Sequence, residues 1–160
     1  MARTTAYIAL GSNLGDRAAT LRRAVETLGR HGGILIRQVS EFIETPPQGG
    51  PPGQGLYLNA AVEVETDLLP LELLDALGEI ETELGRNRTQ EQRWGPRTCD
   101  LDILLMGKVV MDGPRLTIPH PRMHRRLFVL RPLAQIAPDV VHPLLHKTVA
   151  RLLSEAEGKP

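Results

Sequence analysis

The spacing of apolar side chains changes repeatedly along the chain, and each change of period predicts a change from strand to helix or back. Apolar residues recur at every second position over 57–66 and at every third or fourth position over 71–84. The pattern predicts strands over 5–10, 34–45, 57–66, 100–106 and 109–111, and helices between Asp16 and Gly32 and over 71–84, 128–137 and 149–157. Asp16 and Thr148 are typical helix N-caps, and Gly85 suits the residue that ends a helix.

The first six predicted elements follow the order strand, helix, strand, strand, helix, strand. This order is that of the ferredoxin-like arrangement. We therefore expect an α+β protein in which an antiparallel sheet carries packed helices, a three-layer α/β/α sandwich. A length of 160 residues suits a single domain over 1–160.

Composition excludes several classes of protein. Hydrophobic residues make up 41% and charged residues 24% of the chain, and 19 basic residues balance 19 acidic ones. A general nucleic-acid or membrane-surface binder usually carries a basic excess, so we expect neither partner. Cys99 is the only cysteine, and no signal-peptide pattern opens the chain. We expect a cytoplasmic protein.

The most informative stretch is 93–106, which begins as an arginine-rich loop and continues as a strand. Asp100 and Asp102 are two residues apart, so a strand places both carboxylates on one face, and Leu101, Ile103 and Leu105 on the other. Carboxylates that converge in this way suit Mg²⁺, which typically binds one or two carboxylates plus substrate phosphates. The alternative is a solvated strand face, or acids paired with nearby arginines.

Basic residues cluster in two places. The loop 86–97 carries Arg86, Arg88, Arg93 and Arg97 against a single acid, and Trp94 there could stack on a ring. Such a loop would order around a polyanion, although a basic surface loop that contacts RNA is the alternative. The second cluster, 120–126, holds two histidines and three arginines and suggests another phosphate contact.

Two further polar positions each allow two interpretations. Asn59, at the start of a predicted strand, either binds a ligand or bonds to the backbone at the strand end. Glu81 and Glu83 lie in the last turn of a helix, where carboxylates oppose the helix dipole. One of them is therefore either held by a cation or ligand, or simply solvated.

The stretch Arg93-Trp94-Gly95-Pro96-Arg97-Thr98-Cys99-Asp100-Leu101-Asp102-Ile103 closely resembles the signature of the 6-hydroxymethyl-7,8-dihydropterin pyrophosphokinase family of folate biosynthesis. The segments 6–15, 45–47, 57–61 and 116–120 are similar to four other segments of that family, in the same order. The resemblance implies the ferredoxin-like fold and a reaction that moves the terminal diphosphate of ATP to the pterin hydroxymethyl group and releases AMP.

The resemblance also implies roles for individual residues. Asp100 and Asp102 match the metal ligands, which hold two Mg²⁺ ions with ATP. The positions that match the pterin pocket are Thr45, Pro46, Tyr57, Asn59 and Phe128. Those that match the ATP site are Glu81, Arg88, Arg93, Trp94, Arg97, Ile103, Arg115, Thr117, His120 and Arg126. The predicted catalytic residues are Arg86, Arg97, Asp100, Asp102 and His120.

The expected partners are therefore ATP and 6-hydroxymethyl-7,8-dihydropterin, and we expect a monomer. Two other functions remain as alternatives. A metal-dependent phosphohydrolase could use the same aspartates, and it would release phosphate without a pterin acceptor. An RNA-binding domain could use the arginine loop, but it would need aromatic residues on the sheet, and aromatics make up only 3% of the chain.

Overall fold

A computed structural model of the chain describes residues 3–13, 15–46, 56–85 and 99–158. The elements in chain order are β1 (Thr4–Ser12), α1 (Arg17–Arg30), β2 (Ile34–Val39), β3 (Ile43–Thr45), β4 (Tyr57–Thr66), α2 (Pro70–Glu83), β5 (Asp100–Met106), β6 (Met111–Asp112), β7 (Thr117–Ile118), α3 (Leu127–Ile136) and α4 (Val149–Ala156). A short 3-10 turn, Met123–Arg125, precedes α3.

The main sheet is antiparallel, with the strand order β2-β4-β1-β5. Strand β3 pairs with the first residues of β4, and β2 pairs with its last residues. The order of the sheet and its β-α-β-β-α-β connections confirm the predicted ferredoxin-like α+β arrangement. Strands β6 and β7 form a separate two-stranded ribbon. Among the described residues, no helix combines the length and the apolar character that crossing a membrane requires.

Helices cover both faces of the main sheet, which gives the predicted three layers. Even-numbered residues of β1 and β4, such as Ile8 and Val62, pack against Leu21 and Leu28 of α1 and Leu77 of α2. The opposite face packs against α3 and α4 through a second cluster of buried residues. This second cluster covers only part of its face, and the remaining part holds the site described below.

The prediction for the end of β5 was wrong. Leu101 and Ile103 lie in the core beneath α1 and α2, as predicted, but Leu105 lies in the opposite cluster beneath α3. The pairing explains the difference, because Tyr7 faces Leu105 whereas Ile8 faces Ile103, so that Leu104 is an extra residue. A β-bulge of this kind reverses the alternation of side chains beyond it.

The strand predicted over 34–45 is divided into β2 and β3. Between them, Ser40 N–H donates to Ala61 O at 2.9 Å, and Ala61 N–H donates to Ser40 Oγ at 2.8 Å. The Ser40 hydroxyl takes the place of a backbone carbonyl as the acceptor, so the chain can bend here and Ala61 N–H of β4 still has a hydrogen-bond partner. The short strand predicted over 109–111 lies instead at Met111–Asp112.

The predicted helix ends are confirmed. Asp16 Oδ1 accepts a hydrogen bond from Ala19 N–H at 3.1 Å, and Thr148 Oγ1 accepts one from Arg151 N–H, also at 3.1 Å. Gly85 follows α2 with a φ of 98°, a conformation that glycine adopts without the strain of a Cβ atom.

Polar side chains hold α3 against the bend between β2 and β3. Gln135 Oε1 accepts a bond from Glu41 N–H at 2.9 Å, and Gln38 Nε2 donates to Ile136 O at 3.3 Å. Gln38 also donates to Glu63, which accepts a bond from Tyr7. Burial, together with the neighbouring Glu63 carboxylate, raises the pKa of Tyr7 to about 12, so its hydroxyl remains a donor at neutral pH.

The central position of Ile8 allows a direct test of the core. Ile8 is fully buried on the middle strand, whereas Leu35 on the edge strand β2 is 40% exposed. Replacing Ile8 by alanine should lower the free energy of unfolding by about 2–5 kcal/mol, because it removes buried methyl groups and leaves a cavity. Urea denaturation measures this loss. Leu35→Ala is the control, and an equal loss in both variants would contradict the assigned core.

Buried His142 should make the fold sensitive to acid. Its Nδ1 accepts N–H bonds from Leu144 at 3.2 Å and Leu145 at 3.1 Å. Burial, together with His124 and His146, holds its pKa below the ordinary 6.5. The unfolded chain therefore binds a proton more readily, so the stability is complete above about pH 6.5 and declines as the pH falls toward the folded-state pKa.

The variant His142→Asn tests this pH dependence, because the asparagine Oδ1 can accept the same N–H bonds without titrating. We expect its unfolding free energy to fall less steeply below pH 6.5 than that of the wild type. His31→Asn is the control, since His31 Nδ1 accepts a comparable N–H bond, from Gly33 at 3.0 Å, and His31 is not among the groups that act on His142. Identical slopes for His142→Asn and the wild type would contradict the prediction.

Candidate functional site

Two rows of side chains cross three strands on the face of the sheet that also packs against α3 and α4. In the first row Asn59 of β4 pairs with Gly11 of β1, which pairs with Asp100 of β5. In the second row Ala61, Ala9 and Asp102 pair in the same way. Residues paired across antiparallel strands point to the same face. A floor of small residues therefore separates a buried amide on one side from two carboxylates on the other.

The amide side is rigid and closely packed. Asn59 is buried, and its Nδ2 donates to Oγ1 of Thr45, which is also buried. A Cβ atom on Gly11 would lie 3.1 Å from Asn59 Oδ1, so any larger residue would require this amide to shift by a few tenths of an ångström. Tyr57 pairs with Thr45 at the end of β3 and β4. Neither earlier interpretation of Asn59 described its bond to a side chain of the neighbouring strand.

The carboxylate side lies at the edge of the sheet. Asp102 is exposed and Asp100 is half-buried. The strand that carries them, β5, pairs only with β1 among the described strands, so the backbone groups on its other edge need different partners. Leu101 N–H donates to Glu81 Oε2 of α2 at 2.8 Å, and Glu81 is only 4% exposed. Glu81 is therefore a buried acceptor that fixes the strand between the aspartates, whereas Glu83 is solvated.

His120 reaches this edge through the bulge in β5. Its N–H donates to Leu104 O at 2.9 Å, which places the imidazole beside Asp102. Its Nδ1 accepts a bond from Arg122 N–H at 3.2 Å, so the neutral ring carries its proton on Nε2. Burial lowers the pKa of His120; Asp102 opposes this effect, and Arg126 and Arg122 add to it. His120 is therefore a neutral Nε2–H donor at pH 7.

Arg126 adds a fixed positive charge. Its guanidinium lies 5.4 Å from the centre of the Phe128 ring, within the range of a cation–π contact. Burial and the neighbouring Arg122 lower its pKa, and Asp102 opposes this effect. Arginine keeps its proton at neutral pH, so two guanidinium groups remain close together near one carboxylate. An anion bound here would relieve their repulsion.

A cavity of about 880 Å³ opens between α2 and β5, large enough for a nucleotide-sized molecule. Glu81, Leu101, Asp102 and Arg115 contribute to its wall. The Arg115 guanidinium donates to Asp75 Oδ1 on α2, so it already has a partner in this structure. Thr117 lies on the adjacent ribbon, where its hydroxyl donates to Asp112 Oδ1 at 3.0 Å.

The remaining predicted site residues have different outcomes. Ile103 is buried in the core beneath α1 and α2, and Pro46 is exposed at the end of a described range. Five of the predicted residues lie outside the described part of the chain, namely Arg86, Arg88, Arg93, Trp94 and Arg97. The structure brings together Asp100, Asp102, His120 and Arg126 on one side of Gly11, and Thr45, Tyr57 and Asn59 on the other.

Sequence reasoning missed the floor of the site. Gly11, Ala9 and Ala61 received no role in the sequence analysis. The alternation of β1 and β4 was a usable signal, because it places Ala9, Gly11, Asn59 and Ala61 off the hydrophobic face. The pairing register, which periodicity does not contain, is what aligns them.

The Asp100 and Asp102 carboxylates can bind a hard cation, and the neighbouring His120 and Arg126 can donate hydrogen bonds to phosphate. Asp102 also lines a cavity large enough for a nucleotide. This arrangement is typical of a metal-dependent enzyme that acts on phosphate compounds. The family model for 7,8-dihydro-6-hydroxymethylpterin-pyrophosphokinase (HPPK) matches residues 7–138. The chain belongs to this family.

Relatives from several bacteria are similar over most of their length. The chain is 53% identical over 135 residues to the 2-amino-4-hydroxy-6-hydroxymethyldihydropteridine pyrophosphokinase of Bacillus subtilis, which covers 84% of this chain and 79% of that protein. The protein of the same name from Haemophilus influenzae is 48% identical over 139 residues, 87% of this chain and 85% of that protein.

A solved structure of HPPK-DHPS in complex with substrates has the same fold, with a TM-score of 0.72 and 15% identity. The similarity covers 96% of this chain, which spans only 43% of that longer chain.

The hydrogen bond from Leu101 N–H to Glu81 can be tested by substitution. Glu81→Ala should lower the free energy of unfolding by about 1–3 kcal/mol, because it leaves the buried Leu101 N–H without its acceptor. Glu81→Gln keeps an acceptor oxygen and should lose less. Thermal and urea unfolding measure both effects. Equal losses in the two variants would contradict the assigned hydrogen bond.

Proposed function

We propose that this chain transfers the terminal diphosphate of ATP to the hydroxymethyl group of 6-hydroxymethyl-7,8-dihydropterin and releases AMP, a step of tetrahydrofolate biosynthesis. The observation that carries the proposal is the register that aligns Asn59, Gly11 and Asp100 across three strands. This register places the Asn59 amide, which suits a flat heterocycle, one strand away from the carboxylates, which suit metal-bound phosphate. The names of the bacterial relatives support the same reaction.

The pterin ring would lie on the amide side. Asn59 Nδ2 is already bonded to Thr45, so the amide is held in one orientation before a ligand arrives. Preorganisation of this kind lowers the entropy lost on binding. Asn59 would read the hydrogen-bonding edge of the ring, and Tyr57 and Phe128 would contact its faces. Thr45 and Pro46 would complete the pocket.

Asp100 and Asp102 would hold Mg²⁺ together with ATP. In the described part of the chain, no cluster of three or more acidic, histidine or cysteine side chains could hold a metal alone. Two carboxylates nevertheless suit Mg²⁺, because this ion usually takes its other ligands from water and substrate phosphates. When bound, it supplies neutralisation of the phosphate charge. We propose two ions, as the resemblance implies.

The nucleotide would occupy the cavity between α2 and β5. His120 would donate its Nε2–H to a phosphate oxygen, and Arg126 would offset phosphate charge. Arg115, Thr117, Ile103 and Glu81 would line the rest of the site. From the family resemblance, Arg88, Arg93, Arg97 and Trp94 would also contact ATP, and Arg86 and Arg97 would assist the chemical step.

At the β-phosphorus, the reaction forms one bond and breaks one bond. The pterin hydroxymethyl oxygen attacks the β-phosphorus, the bond from that phosphorus to the oxygen of the α-phosphate breaks, and AMP leaves. The hydroxyl proton passes to solvent. Within the described residues, no side chain is placed as a covalent nucleophile, so the protein contributes mainly alignment and charge stabilisation.

Two expectations from the sequence remain predictions. We expect the enzyme to act in the cytoplasm and to be a monomer. A single chain carries both the amide side and the carboxylate side, so the proposed reaction requires no second copy.

Asp102→Asn and Asp100→Asn test the proposed metal ligands. Each keeps the size of the side chain but removes a charge, so turnover should fall at least about 100-fold and saturation should require more Mg²⁺. Single-turnover assays at several Mg²⁺ concentrations measure both quantities.

Asp139→Asn is the matched control, because Asp139 is exposed in the connection between α3 and α4. It should retain wild-type turnover. Near-wild-type rates and Mg²⁺ dependence in Asp102→Asn, with the fold intact by circular dichroism, would contradict the assignment.

A further inference from the structure

Arg17 is the first residue of α1, and no role in the site has been assigned to it. The turn that carries it is fixed, because Asp16 caps the helix and its carbonyl accepts a bond from Thr20 Oγ1 at 2.9 Å. The Arg17 side chain is only 29% exposed, which is low for a long cationic side chain at a helix start. It therefore has specific contacts rather than a purely solvated position.

The guanidinium of Arg17 contacts two separate segments of the chain. Its Nη1 donates to Leu56 O at 2.7 Å, and its Nη2 lies 3.7 Å from Glu44 Oε1. Leu56 directly precedes β4, and Glu44 belongs to β3. The bond to the carbonyl is short and charge-assisted, which makes it the stronger of the two contacts.

Both contacts are adjacent to residues of the proposed pterin pocket. Glu44 precedes Thr45, and Leu56 precedes Tyr57. Thr45 and Tyr57 pair with each other at the last position of the β3–β4 ladder. The end of a ladder opens more easily than its middle, since fewer hydrogen bonds restrain it. Arg17 supplies a restraint from a third element at this end.

The shape of the guanidinium matters here. Its planar fork directs two nitrogens toward two acceptors at once, whereas a lysine ammonium is a single point charge on a flexible stem. One side chain therefore links the carbonyl before β4 to the carboxylate on β3. A change in that link alters the separation of Thr45 and Tyr57 and the support of the Asn59 amide, which is bonded to Thr45.

We propose that Arg17 is a positioning residue for the pterin site. It holds the paired ends of β3 and β4 in the register that binds the heterocycle, without touching the substrate itself. This inference rests on the proposed function. It predicts a selective effect, because the contacts of Arg17 with Leu56 and Glu44 adjoin the pterin side of Gly11, and the carboxylates and His120 lie on the other side.

The variant Arg17→Lys tests the proposal, since it keeps the charge and loses the fork. We expect its KM and Kd for 6-hydroxymethyl-7,8-dihydropterin to rise about tenfold, the usual effect of losing one charge-assisted hydrogen bond. The Kd for a non-hydrolysable ATP analogue should change less than about twofold. Calorimetry gives both dissociation constants, and steady-state assays give KM and kcat.

Two further variants separate the contacts. Glu44→Gln weakens only the longer ion pair, whose carboxylate side chain is 54% exposed, so pterin affinity should fall, but less than in Arg17→Lys. Arg22→Lys makes the same exchange at an exposed position of the same helix and should match the wild type. Thermal unfolding of all variants measures any general loss of stability.

Selective loss of pterin affinity in Arg17→Lys, with unchanged binding of the ATP analogue, supports the positioning role. Unchanged pterin affinity overturns it, and so does an equal loss for both ligands, which indicates a purely structural role. If the wild type binds the ATP analogue but not the pterin, the proposed function fails, and this inference fails with it.

Discussion

The register of β1 with its two neighbours is the constraint on which the site depends. It fixes which residues of three strands share a row, and alternation then fixes which face each side chain takes. A slip of one residue between β1 and β5 would turn Asp100 and Asp102 toward α1 and α2, where charges have no room. The hydrophobic side chains of the same strands prevent such a slip, since they would have to leave the core. The packing that stabilises the fold therefore also positions the carboxylates.

The bulge at Leu104 allows β5 to direct its aspartates into the site and also to pack Leu105 against α3. Before it, the strand keeps the aspartates in line with Gly11 and Ala9. At the bulge, the Leu104 carbonyl accepts a hydrogen bond from His120 N–H, which brings the segment before α3 to the edge of the sheet. After it, the strand directs Leu105 toward α3. One inserted residue thus brings His120 close to the two aspartates. It also turns Leu105 toward α3, the helix that packs on this face of the sheet.

Much of this architecture could be predicted from periodicity. The shared face of Asp100 and Asp102 followed from alternation alone, and the caps at Asp16 and Thr148 followed from residue type. The roles of individual site residues came from the family resemblance. All of these roles stay predictions, and Arg86, Arg88, Arg93, Trp94 and Arg97 also lie outside the described residues.

Other features depended on contacts between distant parts of the chain. The face of Leu105 was predicted wrongly because a bulge leaves no mark in the spacing of apolar residues. The function of Glu81 depends on how α2 lies against β5, and Arg17 meets Leu56 across 39 residues of sequence. Local patterns carry no information about such pairings, which the tertiary packing decides.

The most direct measurement is the product analysis of the purified protein with ATP, Mg²⁺ and 6-hydroxymethyl-7,8-dihydropterin, with nucleotides and pterins resolved by chromatography. The predicted result is AMP and pterin diphosphate in equal amounts, and neither product when the pterin is omitted. Formation of ADP and free phosphate, or ATP breakdown that does not depend on the pterin, would contradict the transfer of a diphosphate and would indicate a phosphohydrolase instead.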